Sequence, residues 1–236
     1  RAWRREMCGA WGVTLRAAKG VALCAMMLAV AGCSSSGASD YQEYWTAIRQ
    51  SFGGTFSASR VTLKQAAAIP YASMGYRVDH GPELIIVLAT DNAGEQLWTS
   101  ADHIVLLTRG GQIVRSVGLP HDLGGMNFQN GANDTLPAAA LRHDFTATRY
   151  ADFPDMGIYS APIVCAASSK GRRNVTILGQ SITTVRVAED CRSEKLDWSF
   201  TDIYWVDENS GMVWRSVQHI HPKGGEIDTE ILRPPG

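Results

Sequence analysis

Gly111-Gln112-Ile113-Val114-Arg115-Ser116-Val117 returns one hundred positions later as Gly211-Met212-Val213-Trp214-Arg215-Ser216-Val217. Four of the seven positions are identical, and Ile113 answers Val213. A glycine that permits a tight turn, followed by a short run of strand formers, reads as the second half of a β-hairpin. Side chains alternate across a strand. That places Ile113, Arg115 and Val117, with Val213, Arg215 and Val217, on one face, and Val114, Trp214, Ser116 and Ser216 on the other. Each copy follows a segment carrying a tryptophan and an aspartate, Trp98 with Asp102 and Trp205 with Asp207. A duplicated half-sheet accounts for the pair, and chance similarity between two hairpins is the alternative. In the duplicated scheme Arg115 and Arg215 hold equivalent places, either paired with sheet carboxylates or gripping an anionic sugar. Trp98, Trp205 and Trp214 complete the candidate contacts for a glycan or a protein partner.

The flanking sequence is also β in character. Leu84 to Ala89 is an unbroken apolar run, suited to a strand buried on both faces. Turn residues separate further strands at 96–99, 103–109, 112–117, 174–178, 182–188, 203–206, 212–220 and 227–232. Pro120 to Pro137 reads as a surface excursion, since it lacks the spacing of a phosphate loop. One helix is expected near the start of the mature chain. Asp40 and Glu43 form a capping box, Tyr41, Tyr44, Trp45, Ile48 and Phe52 recur at helical spacing, and Gly53-Gly54 stops it. The fold class is therefore mainly β, a large antiparallel sheet wrapped as a sandwich or partial barrel with one N-terminal amphipathic helix.

Ahead of that helix lies a leader. Residues 20–32 are uncharged, follow a basic segment and end in small residues, the layout of a secretory signal. Thirteen residues are too few to span a bilayer. Val30-Ala31-Gly32-Cys33 looks like a bacterial lipobox, with a polar tether over 34–39. This implies cleavage before Cys33 and acylation of its thiol, a multi-chain anchor strong enough to hold a protein at a membrane. Ser34 after the lipidated cysteine favours the outer membrane. The expected organisation is a signal peptide over 1–32, a lipidated cysteine and tether over 33–39, and one β-rich periplasmic domain over 40–236.

The whole chain has 22 Lys and Arg against 23 Asp and Glu. The leader takes five of the basic residues and one acid, which leaves 17 against 22 from Cys33 onward. An acidic body gives no case for nucleic acid. Of five cysteines, Cys8 and Cys24 leave with the leader and Cys33 is lipidated. Cys165 and Cys191 remain, and in an oxidising compartment they read as one disulfide, worth roughly 3.5 kcal/mol by chain entropy. Two buried free thiols are the alternative.

Little else suggests chemistry. His219 and His221 share a strand face and have the spacing of a metal pair, with His103 and His121 available elsewhere, yet no third ligand is identifiable. Ser116 and Ser216 sit mid-strand without a nucleophile elbow. Asp102, Asp207 and Glu208 make no convincing carboxylate pair, and Asp207 to Gly211 is turn chemistry. No catalytic residue, metal or cofactor is expected.

Four ordered segments carry a resemblance. They are the lipobox at Cys33, Ile69-Pro70-Tyr71-Ala72-Ser73-Met74, the stretch from Trp98 through Gly111 and Arg115 to Gly118-Leu119, and Tyr204-Trp205-Val206-Asp207 running on through Gly211, Trp214, Arg215, Gln218 and His219 to Pro222. Together they resemble the YjbF/GfcB family of bacterial lipoproteins. The resemblance implies a role in exopolysaccharide or group 4 capsule production beside other export-pathway proteins, with no catalytic residues to carry over. The leading expectation is a non-enzymatic outer-membrane lipoprotein for polysaccharide assembly or export. A periplasmic lipid or lipoprotein carrier with an apolar cavity is the second. A polysaccharide-modifying enzyme is the third.

Overall fold

The computed structural model describes residues 60–129 and 136–236. The expected helix over 41–52, the leader, Cys33 and Asn130-Gly131 lie outside them. Twelve strands form one antiparallel sheet. They are β1 (Ser73–Val78), β2 (Leu84–Asn92), β3 (Glu95–Thr99), β4 (Val105–Arg109), β5 (Gln112–Val117), β6 (Gly125–Phe128), β7 (Phe145–Phe153), β8 (Ile158–Ile177), β9 (Gln180–Ser193), β10 (Trp198–Val206), β11 (Val213–His219) and β12 (Glu226–Arg233). A short helix α1 (Leu63–Ala67), with Thr62 and Gln65 as its capping box, precedes them. No described helix is long and apolar enough to cross a membrane.

The strand order is β5-β4-β3-β2-β1-β12-β11-β10-β9-β8-β7-β6. Every ladder joins strands adjacent in sequence except β1 with β12. The sheet curls until its two edges meet, a nearly closed barrel that leaves little edge for other chains. The seam is sewn at Ser116, by its backbone and its hydroxyl. Ser116 N–H donates to the Leu123 carbonyl at 2.9 Å, Leu123 N–H donates back to Ser116 Oγ at 2.9 Å, and Ser116 Oγ donates to Asp122 at 2.8 Å. Ser116 is thus a buried fastener.

Two apolar clusters fill the barrel. The larger gathers Met74, Tyr76, Ile86, Trp98, Leu106, Ile113, Phe153 and Ile227 among others. The smaller joins Ala140, Ala167, Val187, Tyr204, Val206 and Val213 under a 3₁₀ turn at Pro137–Leu141. Cys165 and Cys191 face each other in the β8–β9 ladder and are bridged.

The repeated phrase folds as two hairpins, β4–β5 and β10–β11, and each carries the same irregularity. Leu107 pairs with Arg115 and Thr108 with Ile113, so Val114 is an extra residue. Likewise Trp205 pairs with Arg215 and Val206 with Val213, so Trp214 is extra. These bulges overturn the simple alternation expected from sequence. Ile113 and Val213 point inward, whereas Arg115 and Arg215 lie on the outside. The expected match of Trp98 with Trp205 also fails, because the residue in the place of Trp205 is Leu107. The two hairpins meet inside the barrel. A Cβ on Gly111, whose φ is +84°, would lie 2.4 Å from Val213. Gln218 of β11 accepts from Ile113 N–H and donates to the Gly111 carbonyl, both at 2.9 Å.

The strands expected at 84–89, 96–99, 103–109, 112–117, 203–206, 212–220 and 227–232 are all present, most within a residue or two, though β2 runs on to Asn92 and β10 begins at Trp198. The pattern missed β1, β6, β7 and all of β8 ahead of Asn174. Ile85, Ile86 and Val87 are all buried, as an apolar run predicts, but Ala89 onward is exposed. The Pro120 to Pro137 excursion contains β6.

Candidate functional site

The candidate contacts fall into different environments. Trp98 is 1 % exposed and its indole N–H donates to Thr108 Oγ1 at 3.0 Å, so it belongs to the core and presents no face to a glycan. Trp214 packs partly buried against the larger cluster, its Nε1 without a hydrogen-bond partner among the described residues. Arg115 is exposed on β5. It lies six strands from Arg215 in the sheet order, so the two arginines are not brought together.

Trp205 and Arg215 do form a unit. They pair across β10 and β11, and the Arg215 guanidinium lies 5.0 Å from the Trp205 ring centre, a cation–π contact. Arg215 also donates to both oxygens of Asp228, at 3.0 and 2.8 Å. Asp228, Glu230 and Glu83 are nearly buried on this outer face, and Arg60, Arg77 and Arg215 neutralise them. On the other side of Trp205, Arg186 of β9 is its direct ladder partner. The row Arg186, Trp205, Arg215 therefore places one aromatic residue between two arginines in register.

Inside the barrel lies a polar belt between the two apolar clusters. Arg149, 3 % exposed, pairs with Glu189 at 2.7 Å and approaches Asp202 at 3.9 Å. It also donates to the sulfurs of both Cys165 and Cys191 at 2.8 to 3.0 Å. Burial works against this cation, but Glu189, Tyr204 and Asp202 more than compensate and hold it charged. Burial likewise pushes the Glu189 carboxyl up, opposed by Arg149 and by a 3.1 Å hydrogen bond from Gln112. Burial, then Asp202 and Glu189, raise the Tyr204 phenol well above its ordinary value.

The His219-Ile220-His221 motif splits into two histidine–carboxylate pairs. Asp202 Oδ1 accepts from His219 N–H at 2.8 Å and lies 3.2 Å from Nδ1. That bond, with the charges of Asp202, Glu226 and Asp79, raises the His219 pKa against the opposing effect of burial. His219 lines a surface depression of about 360 Å³ with Asp79, His80 and Glu226. His221 is fully buried and its Nε2 lies 2.9 Å from Asp155, whose other oxygen lies 3.0 Å from His121 Nδ1. The two imidazoles stack with centres 4.9 Å apart. His121 thus joins His221, while His103 does not. The His121 bond, more than burial opposes it, holds the Asp155 carboxyl below its usual range.

His121, Asp155 and His221 have ligand atoms close enough to share a cation. The tautomer argues against that use. Lys223 N–H donates to His221 Nδ1 at 3.0 Å, which leaves the ring proton on Nε2, directed at Asp155. A metal-bound histidine has the opposite arrangement, its far nitrogen donating outward. The trio instead ties together the β5–β6, β7–β8 and β11–β12 connections.

The His219 shift has a testable sign. A ring that holds its proton more tightly when folded contributes stability in full below the unfolded histidine value, about pH 6.5, and loses it as pH rises through the folded value. Urea midpoints are expected to decline from about pH 6.5 upward, and His219→Gln is expected to flatten that decline. An unchanged slope in the variant would assign the effect elsewhere.

The model of the family described as group 4 capsule polysaccharide lipoprotein gfcB, YjbF matches residues 45–232. The uncharacterized lipoprotein GfcB of Escherichia coli K12 is 26 % identical over 216 residues, covering 88 % of this chain and 94 % of that protein. The uncharacterized lipoprotein YjbF of the same strain is 26 % identical over 170 residues, 70 % of this chain and 76 % of that one. The fold is similar to the crystal structure of the hypothetical lipoprotein YmcC from Escherichia coli K12, with a TM-score of 0.63 and 23 % identity over 75 % of this chain and 90 % of that chain. Since the family model spans every strand of the barrel, the chain belongs to the YjbF family of group 4 capsule polysaccharide lipoproteins.

Proposed function

We propose that this chain is a non-enzymatic outer-membrane lipoprotein, facing the periplasm, that assists the assembly or export of an extracellular or capsular polysaccharide. The observation that carries the reading is the family match across residues 45–232, which takes in the whole described barrel. Relatives named as lipoproteins support a cell-envelope location, and the Cys33 lipobox supplies the means of attachment.

The interior bears on the rival readings. A lipid carrier needs an apolar hollow of about 300 Å³ or more. Here two packed clusters and the Arg149–Glu189 ion pair occupy the barrel. Opening that pair to admit an acyl chain would leave a charge unpaired in an apolar setting, a cost of several kcal/mol. A modifying enzyme needs a nucleophile or paired acids in a cleft. Of the two histidine–carboxylate pairs, His221–Asp155 ties connections together with His121, and His219–Asp202 joins the neighbouring strands β11 and β10.

Deleting the gene is expected to reduce surface polysaccharide, and a plasmid copy is expected to restore it. A Cys33→Ser copy is expected to restore little, with the protein found in the soluble periplasmic fraction. Polysaccharide of unchanged amount, chain length and export in the deletion strain would refute the export role.

A further inference from the structure

The charges along this chain are unevenly placed. Between Asp155 and Glu189 there is no acidic residue, yet Lys170, Arg172, Arg173 and Arg186 all fall there, in a mature chain that is acidic as a whole. That stretch is the β8–β9 hairpin, the longest in the fold. β7 pairs only with 158–167 of β8, and β10 only with 185–193 of β9. Beyond those limits the two strands pair with each other alone among the described strands. A bulge between Ser169 and Arg172, with Gly171 at φ +81°, concentrates the cations where this ribbon leaves the barrel.

Lys170, Arg172 and Arg173 are exposed and Arg186 is half-buried. Arg172 pairs with Glu208 at 2.7 Å, while Lys170, Arg173 and Arg186 form no ion pair with another described residue. Arg186 continues in register to Trp205 and Arg215. On one face Arg173 and Arg186 thus lead from the ribbon to the partly exposed Trp205 ring as a short cationic strip, while Arg172, opposite Val185 and in line with the core residue Val206, lies on the other face.

We propose that this strip binds an acidic polysaccharide, with guanidinium groups on uronate-type carboxylates and the Trp205 ring against the apolar face of a sugar. The inference rests on the export reading and names the glycan chemistry it serves. Planar guanidinium groups suit carboxylates because they donate two parallel hydrogen bonds. At the ribbon tip Val175 and Ile177 are buried, and the exposed side chains, Asn174, Thr176, Gln180, Ser181 and Thr183, are polar and ill suited to entering a bilayer.

The test uses the lipidated full-length chain in neutral detergent, with intrinsic tryptophan fluorescence as readout. The probes are oligogalacturonate, dextran of matched length, and phosphatidylglycerol vesicles. Oligogalacturonate is expected to bind, to weaken as salt rises, and to outcompete dextran. The K170E/R172E/R173E/R186E variant is expected to bind it at least about tenfold more weakly. Trp205→Ala, which removes no charge, is expected to weaken it while leaving the salt dependence intact. Equal affinity for dextran, unchanged binding by the charge-reversed variant, or binding to vesicles alone would overturn the proposal. In cells, a charge-reversed copy that restores polysaccharide as well as the native gene would sink the strip and leave the export role standing. A deletion without phenotype would sink the export role itself.

Discussion

Arg149→Met is expected to destabilise the barrel by about 3–5 kcal/mol, because it strands Glu189 in an apolar interior with no cation to answer it. For a domain of this size that corresponds to a fall in melting temperature of roughly 10 °C. Arg149 is 3 % exposed and Glu189 equally so, and the guanidinium also serves Asp202 and both bridged sulfurs. The loss is therefore one of charge compensation more than of volume. A paired change distinguishes the two. Arg149→Met with Glu189→Gln removes both charges together and is expected to recover much of the deficit, since replacing a whole buried ion pair by neutral groups is often tolerated. Urea unfolding of the three variants measures this. A double variant as unstable as the single would mean that packing, and not the orphaned carboxylate, sets the cost.

Gly111→Ala is expected to cost about 2–4 kcal/mol, from two independent sources. The backbone there sits at φ +84°, which an alanine adopts with strain, and the added Cβ would lie 2.4 Å from the Val213 side chain. Val213→Gly in the same chain removes both the Cβ and the methyl groups that the new atom would meet, but leaves the backbone strain at 111. The double variant is thus expected to be more stable than the sum of the two single losses predicts, with a coupling of about 1 kcal/mol or more. Strict additivity would show that the two hairpins do not press on each other at this point. The close approach explains why glycine is required at 111 beyond its use in the turn.

Hydropathy made most of the strands legible, because half of each faces an apolar interior. It failed where the interior is not apolar and where the outer face is not polar: exposed Pro162, Val164 and Ala166 alternate with buried Ala161, Ile163 and Cys165, so 158–167 shows no period of two. β7 is anchored by Arg149, and residues 168–174 of β8 have no apolar face, so neither announces itself as a strand. The repeated Gly-to-Val phrase correctly marked two equivalent hairpins, but a bulge is a count of residues against a partner strand. Val114 and Trp214 therefore could not be recognised as extra from one strand alone. The pairing of Arg215 with sheet carboxylates was within reach of sequence reasoning, while the isolation of Arg115 depends on the distance between β5 and β11 in the sheet. Arg186 was missed, although the acid-free run from 156 to 188 was visible throughout. The near-zero balance of the whole chain masks that local excess of positive charge.

The connectivity also dictates an order of assembly. Ten of the eleven ladders join sequence neighbours, and apart from the longer β6–β7 connection their loops are short, so closure costs little chain entropy. The β1–β12 ladder is different: it pairs Met74 with Ile231 and must gather the two extremities of the barrel. Such a distant contact is slow to find. Two half-rolls of neighbouring hairpins can form early and independently, and their union along β1 and β12 comes last. A chain that emerges from its synthesis N-terminus first therefore has β1 waiting, one edge unpaired, until its final strand arrives.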